Sequence, residues 1–189
     1  MKRKIAIHLA EGFEEVEAVS IIDLLRRADL EVLMVSMNGK NEVRGAHQIT
    51  VKADILFEDV NYDDIFMIVL PGGMPGASNL DAHQGLRKQI KQFNEQNRPL
   101  AAICAAPMVY GNLGLLKGKK AVCYPGFEKY LSGAEVLTIP VVESGNVITG
   151  RGIGTALEFA LKLIEKAVSP EKARQIGQQI LFDEKLVTT

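Results

Sequence analysis

Cys104 stands between the apolar run Leu100-Ala101-Ala102-Ile103 and Pro107, a residue suited to the first turn of a helix. Small Ala105 and Ala106 permit a tight strand-to-helix turn. This is the arrangement of a nucleophile elbow, in which a strained backbone holds the side chain up at the edge of a sheet. Helix-start N–H groups would then face the sulfur or a bound oxyanion, surroundings that lower a cysteine pKa from ~8.5 to about 3.5–7.5. The alternative is an inert cysteine in a core strand, a common place for a free thiol. The strand–Cys–Ala–Ala–Pro context favours the reactive cysteine.

Acids come next. Advancing about 100° per residue from Val16 gathers Ala18, Ile21, Leu24, Leu25 and Ala28 on one side of a helix, with Ser20, Asp23, Arg26 and Arg27 opposite. Glu14 and Glu17 fall on the apolar side and Glu15 near its boundary. Acids are favourable at any helix N-terminus, which accounts for Glu15. A carboxyl on a core-facing stripe must be paired, protonated or hydrogen-bonded. For Glu17 this points to a raised pKa and to work as a hydrogen-bond donor or general acid/base beside a thiolate.

Gly72-Gly73 follows a strand and has no side chains. Its N–H groups, with that of Ala105, could complete an oxyanion hole, although an ordinary glycine turn has the same residues. Gly150-Arg151-Gly152-Ile153-Gly154-Thr155 matches neither G-x-G-x-x-G nor the P-loop spacing. It reads as a strand–helix turn in which Arg151 binds an anion or pins a neighbouring loop. His8 lies inside a strand as a satisfied core residue, His83 reads as solvated in a polar helix, and His47 lies in a hairpin that could overhang the site. Cys123 is taken as packing, with redox pairing to Cys104 as the lesser alternative.

These groups need a frame. Ile5–Ala10, Leu30–Met37, Phe66–Leu70, Leu100–Cys104 and Lys120–Cys123 read as buried strands. Glu14–Ala28, Leu80–Glu95, Pro107–Leu115, Thr155–Ala167 and Pro170–Leu181 read as helices. The β-α-β order favours a parallel sheet covered on both faces. Glu42–Lys52, bending near Gly45, and Val136–Thr149, turning at Ser144-Gly145-Asn146, read as antiparallel hairpins. Ligands of such sheets bind beyond the carboxyl ends of the strands, where the glycines and Cys104 concentrate.

The chain has 189 residues, 47% hydrophobic and 24% charged, with no linker-like tract, and reads as one domain over 1–189. Lys+Arg is 22 and Asp+Glu 23, net −1, which argues against a dedicated nucleic-acid binder. No apolar run approaches the ~18 residues of a membrane span. Met1-Lys2-Arg3-Lys4 and the following strand imitate a signal peptide, but the run stops at Glu11 and acids follow. Two cysteines are too few for a disulfide scaffold and lack metal-type spacing, so a cytoplasmic address is expected.

Taken together, Glu11-Gly12-Phe13-Glu14-Glu15-Val16-Glu17-Ala18, Val69-Leu70-Pro71-Gly72-Gly73, Ala101-Ala102-Ile103-Cys104-Ala105-Ala106-Pro107 and Thr149-Gly150-Arg151-Gly152-Ile153-Gly154-Thr155 resemble the ThiJ/PfpI superfamily, also called the DJ-one family. The likeness covers nearly the whole chain and is nearest the branch of the Parkinsonism-linked deglycase and the bacterial ThiJ-like chaperones. It implies an α/β, flavodoxin-like three-layer sandwich with a mostly parallel sheet, a short β-hairpin, and assembly as a homodimer. It places the family cysteine on Cys104, its partner glutamate on Glu17, and the oxyanion-hole amides on Gly73 and Ala105. Glu14, Gly72, His47, Tyr124 and Arg151 remain candidates for binding substrate or shaping the site. Ala105 stands where the protease-like branch has a histidine, so protease activity is disfavoured. Tyr124 stands where some relatives have histidine, and His47 where some have arginine.

The resemblance implies cofactor-free and metal-free handling of dicarbonyls such as methylglyoxal, or of early glycation adducts on proteins, in the manner of a glyoxalase III or protein deglycase. Cys104 would attack the aldehyde and Glu17 would shuttle the proton. The alternative is an oxidative-stress sensor or chaperone-like protein acting through oxidation of Cys104. An amidotransferase expects a histidine after the cysteine, and none follows His83. A nucleotide-binding module lacks a phosphate fingerprint.

Overall fold

A computed structural model describes residues 3–182, so Met1 and Lys2 of the basic start lie outside the described residues. In chain order the elements are β1 (Lys4–Leu9), α1 (Glu15–Arg27), β2 (Glu31–Ser36), β3 (Glu42–Arg44), β4 (Thr50–Lys52), β5 (Ile55–Leu56), β6 (Ile65–Leu70), α2 (Gly76–Ala82), α3 (Gln84–Glu95) and β7 (Leu100–Ile103). There follow α4 (Pro107–Asn112), β8 (Lys120–Ala121), β9 (Glu135–Val136), β10 (Val141–Ser144), β11 (Val147–Gly150), α5 (Ala156–Ala167) and α6 (Pro170–Gln179). Seven strands form the main sheet in the order β10-β11-β7-β6-β1-β2-β5. All its pairings are parallel except β10 with β11.

Alternation along the buried strands supplies two cores. Ile5, Ile7 and Leu9 of β1, with Met67, Val69, Ala101, Ile103 and Ile148, meet α1, α5 and α6. Ala6, Ile68, Leu70, Leu100 and Ala102 face the other way, onto α2, α3 and α4. Both faces of a parallel sheet are thereby covered, giving the expected three-layer α/β architecture.

The strand and helix boundaries depart from expectation in four places. Leu80–Glu95 is not one helix. His83 is extended and its Nδ1 accepts from Leu86 N–H at 3.1 Å, so it caps α3 rather than standing solvated early in a longer helix. Its ring also packs edge-on against Phe57, with centroids 4.4 Å apart. Lys120–Cys123 is a strand only over Lys120–Ala121 and pairs with β9, outside the main sheet. Beyond it the donors turn elsewhere: Val122 N–H goes to Thr149 Oγ1 and Tyr124 N–H to Cys104 C=O. The hairpin expected over Val136–Thr149 is the shorter pair β10–β11, because Val136 belongs to β9. The small edge strand β5 was not expected; it has two residues and little periodicity to read. The hairpin β3–β4 forms as expected, antiparallel, and returns the chain toward α1.

Candidate active site

The chain enters the elbow from β7. Cys104 N–H still donates to Gly150 C=O of the neighbouring strand, and then Cys104 takes φ 65°, a left-handed conformation rare for a residue with a side chain. Pro107 opens α4 one turn later. The cost of the backbone geometry is of order 1–3 kcal/mol, borne by a buried frame. Tyr110, at the far end of the same turn, anchors α4 to the strand through its hydroxyl, which donates to Ala101 C=O at 2.9 Å.

Glu17 comes from the opposite side. It projects from the first turn of α1, fully buried, and its Oε2 accepts from Gly72 N–H at 2.8 Å. Glu14 caps that helix, accepting from Glu17 N–H at 2.6 Å, while its own N–H donates to Gly72 C=O at 2.9 Å. Glu14 thus fastens α1 to the Gly72-Gly73 turn. A Cβ on Gly72 would lie 2.5 Å from Cys104 Cβ, 2.7 Å from Glu17 Oε2 and 3.0 Å from Cys104 Sγ. Thiol and carboxyl therefore converge on one spot that only glycine leaves open. Gly73 has φ +89°, and a Cβ there would strike Glu14 N at 2.4 Å.

Two amides address the sulfur, those of Gly73 and Ala105, and both favour the thiolate. The amide of Gly72, expected to serve alongside Gly73, is committed to Glu17 instead. The expectation of a thiol with a lowered pKa is overturned. Burial, then the Glu17 carboxylate, push Cys104 up to about 12, against the two amides. Burial likewise pushes Glu17 up to about 7, with Glu14's charge adding to it and the bonds from Cys104 and Gly72 opposing.

Both shifts describe one system. While Glu17 is ionised the thiol keeps its proton; once Glu17 holds the proton, the repulsion is gone and the amides favour sulfur. Between about 7 and about 12 the pair carries one negative charge and one proton. Among the described residues Glu17 Oε1 is buried without a hydrogen-bonding partner, an oxygen for which holding the proton relieves a desolvated lone pair.

The remaining predicted residues lie around this centre without joining it. His47 is exposed; its ring Nδ1 stands 2.8 Å from Glu15 Oε2, and its N–H donates to Glu15 Oε1 at 2.6 Å. Glu15, assigned from sequence only to helix-end electrostatics, is buried and ties the hairpin to α1, with Ile49 N–H as a further donor. Burial works against its charge, but His47 and the hairpin amides hold its pKa below the ordinary carboxylate range. The missed signal was Gly45, where a Cβ would meet Glu15 Cδ at 2.3 Å. Arg151 donates to Thr138 C=O at 3.2 Å, pinning a loop rather than presenting a free guanidinium to the thiol. Tyr124 is half exposed, tied to Cys104 through its backbone, with its ring against Gly152. Cys123 is a free, buried thiol in the core of the other sheet face.

Known proteins match most of the chain. The model of the DJ-1/PfpI family matches residues 3–166. The chain is 38% identical over 179 residues to protein DJ-1 homolog B of Arabidopsis thaliana, covering 94% of this chain but 41% of that protein, less than half its length. It is 35% identical over 184 residues to protein dj-1beta of Drosophila melanogaster, covering 96% and 98% of the two chains. The solved structure of oxidized Toxoplasma gondii DJ-1 superposes with a TM-score of 0.91 at 40% identity, over 95% of this chain and 98% of that one.

Proposed function

The chain belongs to the DJ-1/PfpI family, and on that footing we propose that it converts small reactive dicarbonyls, or early glycation adducts on proteins, through Cys104 and Glu17. The observation that carries the reading is the meeting of a half-buried thiol and a buried carboxyl at Gly72, with two backbone amides on the sulfur. For methylglyoxal the steps balance without an oxidant. Sulfur attacks the aldehyde carbon while its proton passes to the Glu17 carboxylate. The C=O becomes an alkoxide that the amides of Gly73 and Ala105 stabilise, and Glu17 protonates it to a hemithioacetal. Glu17 then removes the proton on that carbon, the hydroxyl proton passes to the neighbouring oxygen, and Glu17 returns its proton to the adjacent carbon. The aldehyde carbon is oxidised as the ketone carbon is reduced, leaving a thioester that water opens to lactate and free thiol. The test is lactate formation from methylglyoxal: turnover by the wild type and none by Cys104→Ser or Glu17→Gln supports the reading, and a rate no greater than the Cys104→Ser control contradicts it.

A second reading is favoured by the Toxoplasma relative, which was solved oxidized. In it Cys104 is a stress sensor whose sulfinate is held by protonated Glu17 and the two amides. Peroxide adding two oxygens to Cys104, blocked by Glu17→Leu, supports it; random oxidation of methionines alone contradicts it. Either role fits a cytoplasmic homodimer with both cysteines free. The partner face proposed is the apolar strip of Val16, Val19 and Ile49, which are 52%, 49% and 59% exposed.

A further inference from the structure

We propose that Glu14, Glu15 and His47 bind a divalent metal ion of the zinc class at the rim of the Cys104 site. One donor atom from each lies within 4.8 Å of the others. His47 Nδ1 is 2.8 Å from Glu15 Oε2 and 3.8 Å from Glu14 Oε1. Two ligands each about 2.0–2.2 Å from one ion stand at most about 4.4 Å apart, so both of these pairs already have a suitable spacing. An imidazole nitrogen beside carboxylate oxygens suits zinc and its first-row neighbours; calcium and magnesium take oxygen ligands.

Charge points the same way. Glu14 and Glu15 are adjacent in sequence and only 8% and 4% exposed. Among the described residues their ion pairs run to His47 alone, with no lysine or arginine. A buried excess of carboxylate calls for a cation. The His47 side chain is 71% exposed, which leaves the remaining coordination positions open to water. Hairpin and helix supply the ligands from two elements that Glu15 already clamps together through His47 and Ile49 N–H.

The site stands apart from the thiol chemistry proposed above, and its test removes the thiol. Zinc chloride is titrated calorimetrically into the full chain carrying Cys104→Ser. The expected result is saturable uptake of one ion per chain, weakened at least about tenfold by adding His47→Ala or Glu15→Gln. Thermal melts of the same variants verify folding, and exposed His47→Ala is the variant chosen to leave it intact. No zinc uptake by the Cys104→Ser chain, or uptake by its His47→Ala derivative within threefold of the parent, overturns the proposal.

Discussion

At the scale of single residues, the chemistry depends on what may stand beside the sulfur. Replacing Gly72 by alanine puts a methyl group where Cys104 Cβ, Glu17 Oε2 and Cys104 Sγ meet. Gly72→Ala is expected to fold and lose at least 90% of turnover, roughly the 1.4 kcal/mol of barrier that a tenfold loss represents; assays with methylglyoxal and a circular dichroism melt check both. Glu14→Ala removes the α1 cap and is expected to cost about 0.5–2 kcal/mol of stability, read by urea unfolding. Much at this scale was legible in the sequence. Cys104 sat in a motif whose backbone demands are strong, and Glu17 fell on an apolar stripe where an acid needs a reason. The thiol's pKa was not legible: it depends on a carboxylate brought from 87 positions away (104 minus 17) and on burial that no local pattern encodes.

At the scale of elements, the elbow is held by what lies beneath it. α5 packs its buried Phe159 against Gly150, whose Cβ would lie 2.7 Å from the ring, and Gly150 C=O receives the Cys104 N–H. Phe159→Ala opens that layer and is expected to cost about 3–5 kcal/mol, measured by denaturant midpoint. Tyr110→Phe removes only the hydroxyl that anchors α4 and leaves Ala101 C=O without that donor; about 1 kcal/mol is expected. Strongly periodic elements (β1, α1, β6, β7, α5) were readable because burial on one or both faces writes itself into residue type. The break between α2 and α3 was hidden because its cap is a histidine, a residue whose capping nitrogen matters only in the right rotamer. Short β5, β8 and β9 were misread or missed for want of length.

At the scale of the whole molecule, two buried groups shape stability with opposite signs. Burial lowers His8 to about 3, so below its ordinary 6.5 the unfolded chain binds a proton that the folded chain refuses. Its contribution is full above 6.5 and is lost as pH falls toward 3, at up to about 1.4 kcal/mol per pH unit. Glu17 is raised from 4.5 to about 7, so its contribution is full below 4.5 and is lost as pH rises through 7. Glu17→Gln is therefore expected to gain stability relative to wild type on going from pH 4 to pH 8, measured by urea unfolding at both. Assembly belongs to this scale too. If the proposed homodimer forms through the exposed strip of α1, the wild type is expected to scatter light as a dimer and Val19→Glu as a monomer, with a native circular dichroism spectrum.

The central claim is that Cys104 and Glu17 share one proton. Either group can release the first proton, so the pair's first ionisation lies below that of either alone. Glutamine keeps the shape of the protonated acid without a proton to give. Rates of Cys104 alkylation across pH, in wild type and Glu17→Gln, test this directly. The account predicts a wild-type rise well above the ordinary thiol value, toward about 12, that moves to lower pH in Glu17→Gln, where the carboxylate's repulsion is gone. A single wild-type rise near the ordinary thiol value, unmoved by the substitution, contradicts it.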